Sequence, residues 1–224
     1  MKVALFDMDG LLLDTEPITI QAKVEEGKKI GLPIQEEMVK HTIGMSQKHV
    51  DAYFTSLFGE RYQHEYFKKK RQEYLFAYME KHRLPIKKGA LALLTFFKKE
   101  GVPMAIVTSS SREIVEQYQK YGSLFSFFDK VITGDEVKEG KPHPDVYLHA
   151  AKVMHVKAGD CIVFEDSKNG VLSASRAGMT VVMVPDLIEP DDEVLSFYPN
   201  IKTDLQSAIP FVKEWLIKLN LLRI

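Results

Sequence analysis

Val3-Ala4-Leu5-Phe6-Asp7-Met8-Asp9-Gly10 is the stretch whose reading decides the fold. Four apolar residues with no polar face read as a strand buried on both sides. Two carboxylates one residue apart at the end of such a strand are costly without a cation or a hydrogen-bond network. In open α/β sheets ligands bind outside the carboxyl ends of the strands, which is where Asp7 and Asp9 fall. A metal and a phosphate suit that position.

Working outward, four more short apolar runs read as buried strands: Met104–Val107, Lys130–Thr133, Cys161–Phe164 and Thr180–Val184. Helix-length segments lie between the later ones, at Arg112–Tyr121, Pro144–Met154 and Asn169–Ala177. Gly101, Gly159 and Gly178 each follow a helical segment and precede a strand, as C-terminal helix caps do. This alternation predicts an α/β fold, a Rossmann-like parallel sheet core with helices on both faces.

Residues 14–85 break the alternation. They contain no strand but several helical stretches, about Pro17–Ile30, Gln35–His41, Gln47–Phe58 and Tyr62–His82, punctuated by Pro33, Gly44 and Gly59. The expected organisation is a catalytic core over residues 1–13 and 86–224, interrupted by an all-helical cap domain over 14–85. Because the insertion leaves the sheet beside the carboxylate pair, it is expected to act as a lid that closes over bound ligand. Tyr66, Phe67, Lys70, Tyr74 and Tyr78 fall near one another at helical spacing, and the basic run Lys68–Arg71 reads as a solvated helix face. Phe211–Ile224, with Trp215, Leu216, Leu219, Leu221 and Leu222, packs as a last helix on the sheet or contributes to a dimer contact.

Composition narrows the function classes. With 45% hydrophobic and 27% charged residues over 224, the chain has ordinary globular character. Thirty basic and 31 acidic residues leave a net charge of −1, so no global field draws in a nucleic acid polymer or an anionic membrane. The single cysteine, Cys161, excludes an intrachain disulfide and fits a reducing compartment. No apolar run approaches the roughly 18 residues that span a bilayer, and carboxylates at positions 7, 9 and 14 do not suit a signal peptide. The expectation is a cytoplasmic protein, monomer or weak homodimer, whose partner is a small molecule.

Each strand end carries chemistry. Asp7 and Asp9 follow the first strand; Thr108, Ser109, Ser110 and Ser111 follow the second, just before a helix start; Glu165 and Asp166 follow the fourth. Lys141 lies in the proline-stiffened loop Gly140-Lys141-Pro142-His143-Pro144-Asp145 between the third and fourth. Hydroxyls and N–H groups at a helix start bind phosphate oxygens, a lysine neutralises phosphate charge, and clustered carboxylates hold Mg²⁺. Each element alone is an ordinary turn, helix cap or surface charge. Four in order, each at a strand end, are the parts of phosphoryl transfer. Gly134 to Gly140-Lys141 is not a P-loop, since Pro142 stands where Ser or Thr would coordinate Mg²⁺. No Gly-x-Gly-x-x-Gly follows the first strand, which tells against a dinucleotide site.

These motifs resemble the four motifs of the haloacid dehalogenase-like superfamily of phosphohydrolases: Phe6 to Glu16, Val107 to Ser111, Gly140 to Asp145 and Val163 to Gly170. The helical insertion resembles the cap of members such as β-phosphoglucomutase and pseudouridine-5′-phosphatase. The resemblance implies that Asp7 is the nucleophile that takes the phosphoryl group, and that Asp9 is the proton donor to the leaving oxygen and then the base for water. It implies Mg²⁺ held by Asp7, Asp9 through its backbone carbonyl, and Asp166, with Glu165 beside them. Lys141, Ser109, Thr108 and Ser110 would hold the phosphoryl oxygens. Glu16, Thr19, Gln47, Lys48 and Lys70 are the expected substrate-binding residues of the cap. Where β-phosphoglucomutase has a histidine this chain has Thr19, and its cap arginine is replaced in Gly44-Met45-Ser46-Gln47. Both departures favour a phosphatase of a sugar phosphate or nucleoside monophosphate over a mutase. A phospho-receiver module is the remote alternative; its lysine comes last in the chain, whereas Lys141 precedes Glu165-Asp166.

Overall fold

Val3–Phe6 forms the first strand, β1, and all four of its side chains are buried. The computed structural model describes residues 1–43, 47–197 and 200–221, the side chains of 47–48 and 218–221 apart. β1 lies between β2 (Met104–Val107) and β4 (Cys161–Glu165) in a six-stranded parallel sheet. β3 (Lys130–Ile132) lies outside β2, while β5 (Thr180–Met183) and β6 (Asn200–Ile201) continue beyond β4. The three central strands carry no exposed residue, as a strand covered by helices on both faces requires. β3 is an edge strand with Lys130 exposed, so its apolar run is shorter than its sequence suggests. β6 has only two residues and no apolar run, and its sequence carries no strand signal.

The two faces of the sheet are packed differently. On one, Leu5, Val107 and Val163 meet Tyr147 and Ala150 of α7 (Asp145–Val153) and Val171 and Ala174 of α8 (Lys168–Arg176) in a layer that is aliphatic apart from Tyr147. On the other, Phe6 stacks on Phe164 at 4.8 Å and meets Phe97 of α5 (Ala90–Lys99) edge-on at 5.8 Å. Burying each such side chain contributes roughly 1.5–3 kcal/mol. Gly101 and Gly178 take left-handed φ after α5 and α8, but Gly159 does not. His155 fills that role after α7 instead, with φ 56° and the Val156 N–H closing onto the Ala151 carbonyl at 3.0 Å. The helix ends sooner than the glycine because Val153 is its last residue. At the other end of the chain α10 (Ile209–Leu221) buries Val212 and Trp215, and Lys2 donates to the Leu216 carbonyl at 2.7 Å. Of its expected apolar residues, the side chains of Leu219 and Leu221 and the whole of Leu222 lie outside the described residues.

The chain divides into two compact units, Met1–Leu13 with Ile86–Ile224, and Asp14–Pro85. The second is all-helical: α1 (Glu16–Lys29), α2 (Glu36–His41), α3 (Gln47–Phe58) and α4 (His64–His82). Its core is a row of rings, Phe54 on Tyr62 at 5.0 Å and Tyr62 on Phe67 at 4.9 Å. Tyr62 is extended backbone ahead of α4, not its first turn, because its ring fills that row. Tyr66 and Tyr74 of α4 donate to Glu26 and Glu25 of α1 at 3.1 and 3.2 Å. Among the described residues no helix is long and apolar enough to cross a membrane.

Candidate active site

Chain order makes the crevice. From β1 the chain builds outward through β2 and β3, then returns to β4 and builds the other way. Ligands bind at such a switch point, beyond the carboxyl ends of the strands. Phe6 is in register with Phe164, so Asp7 leaves β1 beside Glu165, and its N–H donates to the Phe164 carbonyl at 3.0 Å.

Lys141 is the hub. Its ammonium donates to Asp7 Oδ1 at 2.5 Å, Glu165 Oε1 at 2.7 Å and the Val107 carbonyl at 3.0 Å. It also lies 5.0 Å from the centre of the Tyr147 ring. Helix α8 anchors the loop that carries it: Ser173 donates to the His143 carbonyl at 2.5 Å and Arg176 to that of Pro142 at 3.0 Å. Burial opposes the Lys141 charge, but Asp7 and Glu165 outweigh it and raise its pKa, so the side chain is a permanent cation. Glu165 is wholly buried; it accepts Tyr147 Oη at 2.5 Å and Ser167 Oγ at 3.3 Å besides Lys141. A buried carboxylate with that many donors is a holder of its partners.

Asp7, Glu165 and Asp166 each offer an oxygen within 4.8 Å of the others. Burial pushes Asp7 up to about 7 against the pull of Lys141, and burial with the charges of Asp7 and Glu165 raises Asp166 well above the carboxylate range. Crowded, desolvated oxygen donors suit a small hard cation, so the donor set fits Mg²⁺. Two glycines permit the crowding. A Cβ on Gly10 would stand 2.2 Å from Asp166 Oδ2, and one on Gly170 would stand 1.9 Å from Glu165 Cδ.

Asp9 points elsewhere. Its carboxylate accepts Ser110 Oγ at 3.0 Å and Tyr118 Oη at 3.2 Å and is not part of the oxygen cluster. Thr108 is buried and its hydroxyl accepts the Ser110 N–H at 3.0 Å, which shapes the turn after β2 and leaves Ser109 exposed. Thus the strand-end residues Asp7, Asp9, Thr108, Ser109, Ser110, Lys141, Glu165 and Asp166 converge at the carboxyl ends of β1, β2 and β4.

Residues 4–184 match the family model described as haloacid dehalogenase-like hydrolase. The chain belongs to the haloacid dehalogenase-like hydrolases. It is 37% identical over 193 residues to the "Probable pseudouridine-5′-phosphatase" of Drosophila melanogaster, covering 81% of this chain and 80% of that one. It is 33% identical over 195 residues to hexitol phosphatase A of Escherichia coli, covering 82% of each. The fold superposes on a β-phosphoglucomutase from Clostridium difficile with a TM-score of 0.75 over 96% of each chain, at 20% identity. As a haloacid dehalogenase-like hydrolase with phosphatases for relatives, the chain is an enzyme of the phosphoric monoester hydrolase class.

In the helical unit of this haloacid dehalogenase-like hydrolase the expected substrate-binding residues do not all meet at one place. Glu16 and Thr19 line a cavity of about 190 Å³ within the Asp14–Pro85 unit, and the Thr19 hydroxyl donates to the Glu16 carbonyl at 2.9 Å. Lys70 does not reach that cavity; it pairs with Glu73 at 2.7 Å, one turn along the same helix. The side chains of Gln47 and Lys48 lie outside the described residues. Lys68 and Arg71, read from sequence as a solvated face, line the cavity with Lys23, Tyr62 and His64. Spacing held the signal: His64, Lys68 and Arg71 recur at i, i+4, i+7 on one face of α4. Tyr147 and Tyr118, each with a hydroxyl on a site carboxylate, were missed because aromatic residues at helical spacing read as core.

Proposed function

We propose that the protein is a Mg²⁺-dependent phosphomonoesterase of a small phosphorylated metabolite, a sugar phosphate or nucleoside monophosphate, working through an aspartyl-phosphate on Asp7. The observation that carries this is the placement of Asp7 at the end of β1, held at 2.5 Å by a buried lysine and grouped with Glu165 and Asp166. The relatives' names, pseudouridine-5′-phosphatase and hexitol phosphatase, support the two substrate classes.

On this reading the unit formed by 1–13 and 86–224 performs the chemistry, and the 14–85 unit selects the substrate. An Asp7 oxygen attacks phosphorus and the bond to the leaving alcohol oxygen breaks. Asp9 gives that oxygen a proton, the Ser110 and Tyr118 hydroxyls fixing its carboxyl. Water then attacks the phosphorus of the acyl phosphate, Asp9 takes its proton, and phosphate leaves with Asp7 restored. Lys141 stabilises the charge on the transferring oxygens, and Glu165 keeps Lys141 aimed. Mg²⁺, when bound by Asp7, Asp166 and the Asp9 carbonyl, offsets the repulsion between the anionic nucleophile and the anionic phosphate. On this reading the hydroxyl of Ser109, an exposed residue of the turn, donates to a phosphoryl oxygen.

The test is phosphate release from a panel of sugar phosphates and nucleoside monophosphates, with Mg²⁺ and with EDTA, beside Asp7→Asn. Mg²⁺-dependent release that disappears in the variant supports the reading. Isomerisation of β-glucose 1-phosphate without phosphate release would replace it with the mutase.

A further inference from the structure

Asp186 stands two residues beyond Val184, whose N–H donates to the Glu165 carbonyl at 2.7 Å where the β4–β5 ladder ends. The chain thus carries a further carboxylate past a strand end, after β5, which none of the proposed chemical steps uses. Its side chain is only 10% exposed, and one oxygen is occupied: Lys87 donates to Oδ1 at 2.5 Å. The other, Oδ2, is buried and has no hydrogen-bond partner. Buried polar atoms are nearly always paired, so an unpaired one calls for a group that completes it.

Oδ2 faces the carboxylate cluster. A Cβ on Gly10 would stand 3.6 Å from Asp186 Oδ2 and 2.2 Å from Asp166 Oδ2, so both oxygens border the space that Gly10 leaves open. Those distances keep the two within reach of a single bridging water. Ionised carboxylates accept and do not donate, so a donor must come between them. Asp186 is not itself a ligand of the cluster, whose mutually close oxygens belong to Asp7, Glu165 and Asp166. Its place is one layer out. Mg²⁺ binds through few carboxylates and keeps several waters, each with protons to give.

Lys87 sets the position. Its N–H donates to the Leu12 carbonyl at 2.9 Å, tying it to the loop after β1, while its ammonium holds Asp186 beyond β5. We infer that Asp186 is a positioning residue of the metal centre, its Oδ2 accepting a hydrogen bond from a water on the cation bound by Asp7 and Asp166. This role depends on the Mg²⁺ site of the proposed function, to which it adds a carboxylate outside the ligand set. Such partners orient what the metal binds and raise its affinity. A purely structural pair would make Lys87 and Asp186 equivalent. Facing a cation gives them opposite signs, since Asp186 attracts it and Lys87 repels it.

Titration of Mn²⁺ into the full chain, with free Mn²⁺ read by electron paramagnetic resonance, tests the assignment. Mn²⁺ shares the octahedral oxygen preference of Mg²⁺. Asp186→Asn keeps the shape and loses the charge, and should weaken binding about tenfold or more. Lys87→Met should leave the affinity equal or raise it. Circular dichroism and melting in EDTA establish that each variant is folded. Unchanged affinity in Asp186→Asn, or equal losses in Asp186→Asn and Lys87→Met, overturns the inference and leaves the pair a structural tie. Asp166→Ala marks the site. If the unaltered chain shows no Mn²⁺ binding that Asp166→Ala removes, the proposed Mg²⁺ site fails and Asp186 loses its role with it. Binding that Asp166→Ala removes but Asp186→Asn does not weaken sinks the role of Asp186 alone.

Discussion

In the Met1–Leu13 and Ile86–Ile224 unit, Asp7, Glu165 and Asp166 crowd around Lys141, whereas the cavity of the Asp14–Pro85 unit is lined by Lys23, Lys68 and Arg71 together with Glu16. One site concentrates carboxylates and the other concentrates basic side chains. They are also built by different means. The acidic site hangs on strand ends whose backbone is locked in parallel ladders, with glycines admitting contacts closer than a Cβ allows. The basic site is made from helix faces, where a residue's role depends on which turn it occupies. On the proposed reading, the chemistry that demands close placement sits on the strand ends and substrate selection on the helical unit.

The largest break in this contrast comes from Asp7→Asn, expected to lower phosphate release by on the order of 10⁴-fold or more with the fold retained by circular dichroism. Lys141→Met should lose comparable activity and also destabilise by about 3–5 kcal/mol in chemical denaturation, because wholly buried Glu165 is left without its counter-charge. Gly170→Ala reverses a familiar sign. Alanine in a helix ordinarily stabilises relative to glycine, but here the new methyl meets Glu165, and a cost of about 1–3 kcal/mol is expected in the same assay.

Acidity gives a subtler handle. Asp7 is raised from the usual carboxylate range to about 7, so between those values the folded chain binds more protons than the unfolded one. Stability from this group is therefore greatest below the unfolded pKa and declines as pH rises toward about 7. Asp166, raised by burial and its acidic neighbours, acts in the same direction. In EDTA, the change in Tm between pH 5 and 7.5 should be smaller for Asp7→Asn than for the unaltered chain, and equal changes would contradict it. Mg²⁺ should raise Tm more at pH 7.5 than at pH 5, since it competes with those protons. The smallest effect belongs to Lys70→Gln, which breaks an exposed pair with Glu73: Tm should hold within about a degree, and phosphate release should fall less than in Arg71→Gln.

The sheet and its motifs were legible in the chain because their signals are local. An apolar run followed by a carboxylate places Asp7, Asp9 and Asp166 at strand ends whatever the rest of the chain does, and three of the four long helical stretches of residues 14–85 begin within one residue of their expected starts. The departures were also local in kind: a two-residue strand too short to carry a pattern, and His155 taking the capping conformation assigned to Gly159. The partners of those motif residues were settled only by the tertiary structure. Lys141 meets Glu165 across 24 residues of sequence and Asp7 across 134, and Tyr118 finds Asp9 across 109. Nor does the run Lys68–Arg71 say which of its cations face Glu73 and which face a cavity; that follows from the rotation of α4, whose Phe67 stacks on Tyr62 and whose Tyr66 and Tyr74 bond Glu26 and Glu25 of α1. Residue type and period determine what a segment becomes, while long-range packing determines which charges it brings together.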